Sequence, residues 1–191
     1  MKCLLCENYS FSHICKQCQK NLLQPSLHKR ILQDGTIVYS FYKYSEIAPL
    51  LFSKHTQLGF YIYNILAKLS FQKFAQEFHS REKYRSLAID DQIKNGYSHT
   101  AILNNALKTY NIKPLHAALH ARSRLTYSGK SKLFRETHPR NFQLKKFQQR
   151  DVILVDDIIT TGTTLQEATS LLQQKNKEVA FCLTLCDVRL K

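Results

Sequence analysis

Several residue types are scarce in this chain at once. Its 191 residues include no Trp, one Met, five Gly and four Pro. Few Gly and few Pro, beside 43% hydrophobic and 22% charged residues, make the composition of a soluble globular protein, with no internal repeat or low-complexity tract. The absent Trp and the single Met decide nothing. Long apolar runs are missing too: none approaches the roughly 20 residues that span a bilayer. The longest candidate, 58–74, is broken by Asn64, Lys68 and Lys73. No secretory pattern follows Met1, so the expectation is a cytoplasmic protein without membrane insertion. The length suits one ordinary domain with a small appendage.

Acid is the other shortage. Fourteen Asp and Glu face 28 Lys and Arg, for a net charge of +14. Such an excess favours polyanions: nucleic acid, anionic lipid or phosphorylated small molecules. A generally basic proteome would give the same total, but the excess is local. From Lys113 to Arg150 there are ten basic residues against one acid, Glu136. Arg122, Arg124, Lys130, Lys132, Lys145 and Lys146 are the candidate nucleic-acid contacts. Single-stranded DNA is favoured over duplex, since no recognition-helix pattern is present.

What the chain does have is four cysteines in its first 18 residues. Cys3 and Cys6 form one CxxC pair, Cys15 and Cys18 a second. A two-residue gap lets both sulfurs of a pair reach one Zn²⁺ ion at ~2.3 Å, and four thiolates leave no open position, so a structural zinc is expected. A pair of disulfides is the alternative, disfavoured in a reducing compartment. The segment has too few apolar residues for a core of its own, so metal would supply most of its folding energy. Cys182 and Cys186 lie in an apolar stretch and read as core thiols on one face.

Residues 25–30 read as a linker between a module at 1–24 and a domain at 30–191. Within the domain, 36–44 reads as a strand and 58–78 as a helix with Ile62, Ile65, Leu66 and Leu69 on one stripe. Residues 86–89 are a short strand, followed by a polar loop at 90–96 and a helix of about 15 residues ending near Tyr110. A further strand at 113–118, a basic excursion at 122–150, a strand at 152–155, a helix at 164–174 and a last strand at 179–185 complete the pattern. Strands alternating with helices point to an α/β fold with a Rossmann-like parallel sheet flanked by helices.

The most informative stretch begins with the apolar strand Val152, Ile153, Leu154 and Val155. It ends in Asp156 and Asp157, and a turn with Thr160, Thr161, Gly162, Thr163 and Thr164 then opens a helix. Backbone amides, hydroxyls and the positive helix end converge there on one point, which suits a phosphate monoester. Gly162 permits close backbone approach. The two acids cannot favour the phosphate, so they address vicinal hydroxyls or a Mg²⁺ ion beside it. An ordinary N-capped turn accounts for one or two of these residues, not for the set.

This string resembles the phosphoribosyl pyrophosphate (PRPP) signature of type I phosphoribosyltransferases. The resemblance implies that Asp156 and Asp157 hold the ribose hydroxyls while Thr160, Thr161, Gly162, Thr163 and Thr164 cradle the 5′-phosphate. It puts Lys94 in the pyrophosphate loop and the basic excursion in the place of the mobile loop that closes over PRPP. Together with the paired CxxC knuckles, the chain resembles the ComF family, which is associated with DNA uptake in natural transformation. Where that family carries Arg-Gly-Phe-Asn-Gln, this chain has Asn95, Gly96, Tyr97, Ser98 and His99. The resemblance implies PRPP or a related phosphoribosyl ligand with Mg²⁺, single-stranded DNA, and the competence DNA-translocation machinery as partners. The alternative is a salvage phosphoribosyltransferase, with a hood built from 36–78 and aromatics such as Tyr39, Phe41, Tyr42 and Tyr44. No catalytic residue is assigned, and whether turnover occurs stays open.

Overall fold

A computed structural model describes residues 1–89, 93, 96–121 and 140–190. The chain opens with a knuckle in which Lys2 bridges Tyr9, followed by helix α1 (Lys16–Leu22). Strands β1 (His28–Ile31) and β2 (Ile37–Lys43) form a hairpin, and helices α2 (Tyr44–Leu51) and α3 (Gln57–Ala67) follow, joined by a 3₁₀ turn, Phe52–His55. A π turn, Lys68–Gln72, runs into α4 (Lys73–Glu77). Next come β3 (Tyr84–Ala88), α5 (His99–Ala106), β4 (Ile112–Leu115), β5 (Leu119–Ala121) and β6 (Phe142–Leu144). The chain ends in β7 (Asp151–Ile159), α6 (Thr163–Gln174) and β8 (Glu178–Asp187).

Among the described residues, six strands make one mixed sheet in the order β1-β2-β8-β7-β3-β4. Every neighbouring pair is parallel except β1 with β2. Residues 28–30, expected in a linker, are therefore an edge strand: β1 exchanges hydrogen bonds with β2 despite its three basic side chains. The antiparallel pair β5 and β6 is a separate small sheet.

The centre of the sheet is apolar on both faces, as a parallel sheet covered by helices requires. Val152, Ile153, Leu154 and Val155 are all fully buried. Ile153 and Val155 face a core shared with α2, α3, α4 and α5, while Val152 and Leu154 face the opposite core under α6. Helix α3 buries Ile62, Tyr63, Leu66 and Ala67, and the π turn keeps Phe71 on the same stripe. The Ser70 hydroxyl donates to the Leu66 carbonyl at 2.6 Å along that stretch. Cys182 and Cys186 are buried but belong to different cores, not to one face.

Two boundaries differ from the sequence expectation in ways that shape the site. Strand β7 does not stop before the acids. It continues to Ile159, pairing Asp156 with Thr184 and Ile158 with Cys186, because β8 runs on to Asp187 as a template. Helix α5 is only eight residues, capped by the Ser98 hydroxyl on the Ala101 amide at 3.2 Å. The chain reverses soon after it, where Thr109 donates its amide to the Ile112 carbonyl at 2.9 Å.

Helix α5, after β3, lies on one face and α6, after β7, on the other. Strands β3 and β7 are neighbours. Successive crossovers thus diverge between them, which opens a crevice at the carboxyl ends of the strands, the usual place for a ligand in such sheets.

Candidate functional site

A cavity of about 400 Å³ occupies that edge. Asp156, Asp157 and the turn from Thr160 to Leu165 line it, with Tyr44, Lys54, Arg140 and Val188 around the rim. All five turn residues expected to hold a phosphate are therefore brought together with both acids. Lys94, Arg122, Arg124, Lys130 and Lys132 lie outside the described residues. Lys145 and Lys146 are exposed just beyond β6 and do not line the cavity.

Gly162 is the residue before α6 and has φ of +91°, which a side chain at that position would resist. A Cβ there would also come within 2.7 Å of the Leu32 side chain. The turn is thus backed tightly on one side and open on the other. The Thr161 and Thr163 hydroxyls lie 3.0 Å apart. The first amides of α6 have no carbonyl one turn earlier and point out of the helix end.

The two acids sit in different environments. Asp157 is buried, and its Oδ2 accepts from Lys54 Nζ at 3.1 Å and from the Tyr63 hydroxyl at 3.2 Å, with His99 Nε2 at 3.4 Å. Burial works to raise this carboxyl, but Lys54 and then His99 outweigh it and hold Asp157 below the usual carboxylate range. Asp156 is partly open to the cavity and accepts the Asp157 amide at 2.8 Å. Burial and the adjacent Asp157 charge push its carboxyl up to about 8, with Arg140 pulling the other way.

Sequence reading missed Lys54 and Tyr63 altogether, and took Arg140 only as one residue of the basic excursion at 122–150. Lys54 is presented by a clamped turn: the Tyr97 hydroxyl donates to the Lys54 carbonyl at 2.6 Å, and Gly59 lies under Ser53. A Cβ on Gly59 would fall within 2.1 Å of the Ser53 carbonyl oxygen and 2.2 Å of the Tyr97 hydroxyl. Arg140 is held at the mouth by Glu167 of α6, whose carboxylate accepts the amides of Arg140 at 3.0 Å and Asn141 at 2.7 Å. His99, a departure from the ComF pattern, is the residue through which α5 reaches the acid pair. Of the four aromatics considered for a hood, only Tyr44 lines the cavity; Phe41 and Tyr42 are core, and Tyr39 packs edge-on against Phe181.

With the Oδ2 of Asp157 already meeting three donors, a Mg²⁺ ion beside the pair would take Asp156 as its carboxylate and complete its shell from ligand phosphates. One or two carboxylates plus phosphates is the set Mg²⁺ takes, so the residues fit it.

The four N-terminal sulfurs all lie within 4.8 Å of one another. Four thiolates at ~2.3 Å from one tetrahedral ion stand about 3.8 Å apart, and Cys6 and Cys15 Sγ are separated by 3.8 Å. Backbone amides of Leu5 and Cys15 point at Cys3 Sγ, at 3.5 and 3.3 Å, and that of Cys18 at Cys15 Sγ at 3.4 Å. Such donors stabilise sulfur as thiolate. The cluster can hold a metal ion. Cys3, Ile14, Cys18 and Leu23 join the core that contains Ile62 and Tyr63, and His13 packs at a tilt against Tyr61 with centroids 4.5 Å apart.

Residues 129–191 match the family model described as the phosphoribosyl transferase domain. That stretch contains the whole β7, turn and α6 unit. No curated protein sequence matches the chain. Solved structures that resemble it include a hypoxanthine phosphoribosyltransferase from Staphylococcus aureus, at 19% identity and a TM-score of 0.38, over 65% of this chain and 62% of that one. Orotate phosphoribosyltransferase from Aeropyrum pernix aligns at 15% identity and a TM-score of 0.39, over 90% and 80% of the two chains. Adenine phosphoribosyltransferase from Saccharomyces cerevisiae aligns at 18% identity and a TM-score of 0.39, over 89% and 87%.

Proposed function

We propose that this chain is a ComF-like protein that binds PRPP or a related phosphoribosyl ligand at the turn after β7 and serves DNA uptake. In this reading Thr160, Thr161, Gly162, Thr163 and Thr164 take the 5′-phosphate. Asp156 takes the ribose hydroxyls and Mg²⁺, Asp157 anchors the acid pair from behind, and Lys94 meets the pyrophosphate. Residues 1–24 act as a structural zinc module on Cys3, Cys6, Cys15 and Cys18, and 30–191 as the ligand-binding domain. The observation that carries the reading is the acid pair beside a Gly162-kinked threonine turn, both lining one cavity at the carboxyl end of β7. Single-stranded DNA is the second ligand, supported by the +14 net charge and the basic run from Lys113 to Arg150.

Titration calorimetry with PRPP and ribose 5-phosphate, with and without Mg²⁺, tests the first ligand. The expected result is binding of both, with Mg²⁺ strengthening PRPP much more than ribose 5-phosphate. No binding of either would end the reading. A salvage transferase is the second reading, favoured by Tyr44 and Lys54 on the cavity rim, where a base would rest against an aromatic. It requires pyrophosphate release when PRPP is mixed with a nucleobase; a panel of bases giving none leaves the binding protein alone.

A further inference from the structure

The turn after β7 is held from behind by a residue far away in sequence. Arg30, on β1, sends its guanidinium under the turn. Its Nη1 donates to the Thr160 carbonyl at 2.9 Å and to both carboxylate oxygens of Asp187, at 3.1 and 3.2 Å. Its Nη2 donates to the Thr161 carbonyl at 3.1 Å. Asp187 is 2% exposed and also accepts the Arg189 amide at 2.8 Å, so the guanidinium is itself locked in place. Arg30 does not line the cavity.

The chain has no cis peptide bond among the described residues. A trans peptide unit points its N–H opposite its C=O. With the carbonyls of Thr160 and Thr161 both turned onto Arg30, the amides of Thr161 and Gly162 both point away from it, to the open side of the turn. Two consecutive amides aimed one way form an anion-binding concavity. Left alone, adjacent peptide planes in a turn have no reason to agree. A planar fork that serves two carbonyls at once imposes that agreement, and an ammonium group, with its single point of charge, does not.

We propose that Arg30 is a positioning residue for the anion site: by holding two successive carbonyls from behind, it aligns the Thr161 and Gly162 amides for a phosphate. This rests on the phosphoribosyl reading above. Arg30 touches no ligand; it acts through the backbone it orients.

The test is titration of wild type, Arg30→Gln, Arg30→Lys and Lys29→Gln with inorganic phosphate and ribose 5-phosphate, with amide chemical shifts of Thr161 and Gly162 recorded on ligand-free protein. Lys29 is the exposed neighbour on the same strand and controls for the loss of one positive charge. Arg30→Lys keeps a charge for Asp187, which protects the fold if Arg30→Gln proves unstable. The expected result is that both Arg30 variants bind phosphate about ten-fold more weakly or worse. Their Thr161 and Gly162 amide shifts should move before any ligand is added, while Lys29→Gln matches wild type. Arg30→Lys binding within two-fold of wild type would overturn the proposal, since any cation would then suffice. An equal loss in Lys29→Gln would overturn it in favour of long-range charge. If wild type binds neither probe, the phosphoribosyl reading falls and this inference falls with it; wild-type binding with unaffected Arg30 variants removes this inference alone.

Discussion

The N-terminal knuckle and the turn after β7 are both short loops that gather polar groups around a point, yet they are built in opposite ways. The four cysteines come from one 16-residue stretch, and backbone amides of the same stretch support them. The turn supplies its own hydroxyls and acids and a few contacts among them, but borrows most of what holds them. Arg30, Lys54, Tyr63, His99 and Asp187 come from five other places in the chain. A metal ion can organise a loop locally because its bonds are strong. Hydrogen bonds net only about 0.5–1.5 kcal/mol each, so a polar turn without metal needs the tertiary fold to hold it.

The largest effect should come from breaking the local device. Cys3→Ser or Cys18→Ser removes one of the four sulfurs that could hold a metal ion, and its side chain also lies in the main core. Thermal denaturation should show a loss of roughly 10 °C or more, and elemental analysis should find less than one zinc per chain. Affinity for PRPP should change far less than stability. Equal stability in the variant would mean that the knuckle needs no metal, and the contrast would collapse.

Next is the borrowed device. Lys54→Met leaves Asp157 buried without its nearest cation, and breaking such a pair costs on the order of 3–5 kcal/mol. Because Asp157 is held below its usual range, its stabilising share is complete above the ordinary carboxylate pKa and is lost as pH falls through the folded value. Wild type should therefore lose stability in acid more steeply than Lys54→Met. Parallel acid limbs in the two denaturation profiles would show that Lys54 is not the partner that matters.

How much of this was legible depends on the same contrast. The cysteine spacing, the central strand at 152–155 and the threonine turn with Gly162 were readable because each signal is contiguous. Helix α2 was not, since Pro49 within eight residues argues against a helix; Glu46, accepting the Lys43 amide at 2.9 Å, offsets part of that cost. Strand β1 was hidden by His28, Lys29 and Arg30, which look like a solvated linker until β2 pairs with them. Lys54 and Tyr63 carried no signal at all. A lysine in a short turn and a tyrosine on an apolar helix stripe look ordinary until the fold brings both to Asp157. His99 stood out only as a departure from a family pattern.

A smaller effect, with two signs, separates the acids. Asp156 has its carboxyl pushed up to about 8, so folding takes up a proton between the ordinary carboxylate pKa and that value. The associated stability is complete below the ordinary value and lost as pH rises through about 8. Asp156→Asn should thus raise the melting temperature at pH 8 by a few degrees, about 1–2 kcal/mol, and by little at pH 4. The same change should weaken PRPP by about 1.5–3 kcal/mol in calorimetry if Asp156 holds the ribose. A variant that gains stability and keeps its affinity would assign the ribose elsewhere. The smallest effect concerns the basic surface. Neutralising Lys145 and Lys146 should lower the salt dependence of single-stranded DNA binding by about one to two charges, read from affinities across a salt series. An unchanged slope would clear these two residues from the footprint.

The two ends of the sheet carry a consequence for how the molecule meets its own copies. Among the described residues the outer strands of the sheet are β1 and β4, each four residues long. One bears Lys29 on the outside, and the other carries Lys113 and Pro114, which removes a backbone donor. Short, charged or proline-bearing rims are poor templates for an incoming strand. A parallel sheet forms slowly, with its strands open to other chains while the crossovers close. These rims keep that exposure brief in reach if not in time, so crowded refolding should yield monomeric sheet and not ladders of chains joined edge to edge.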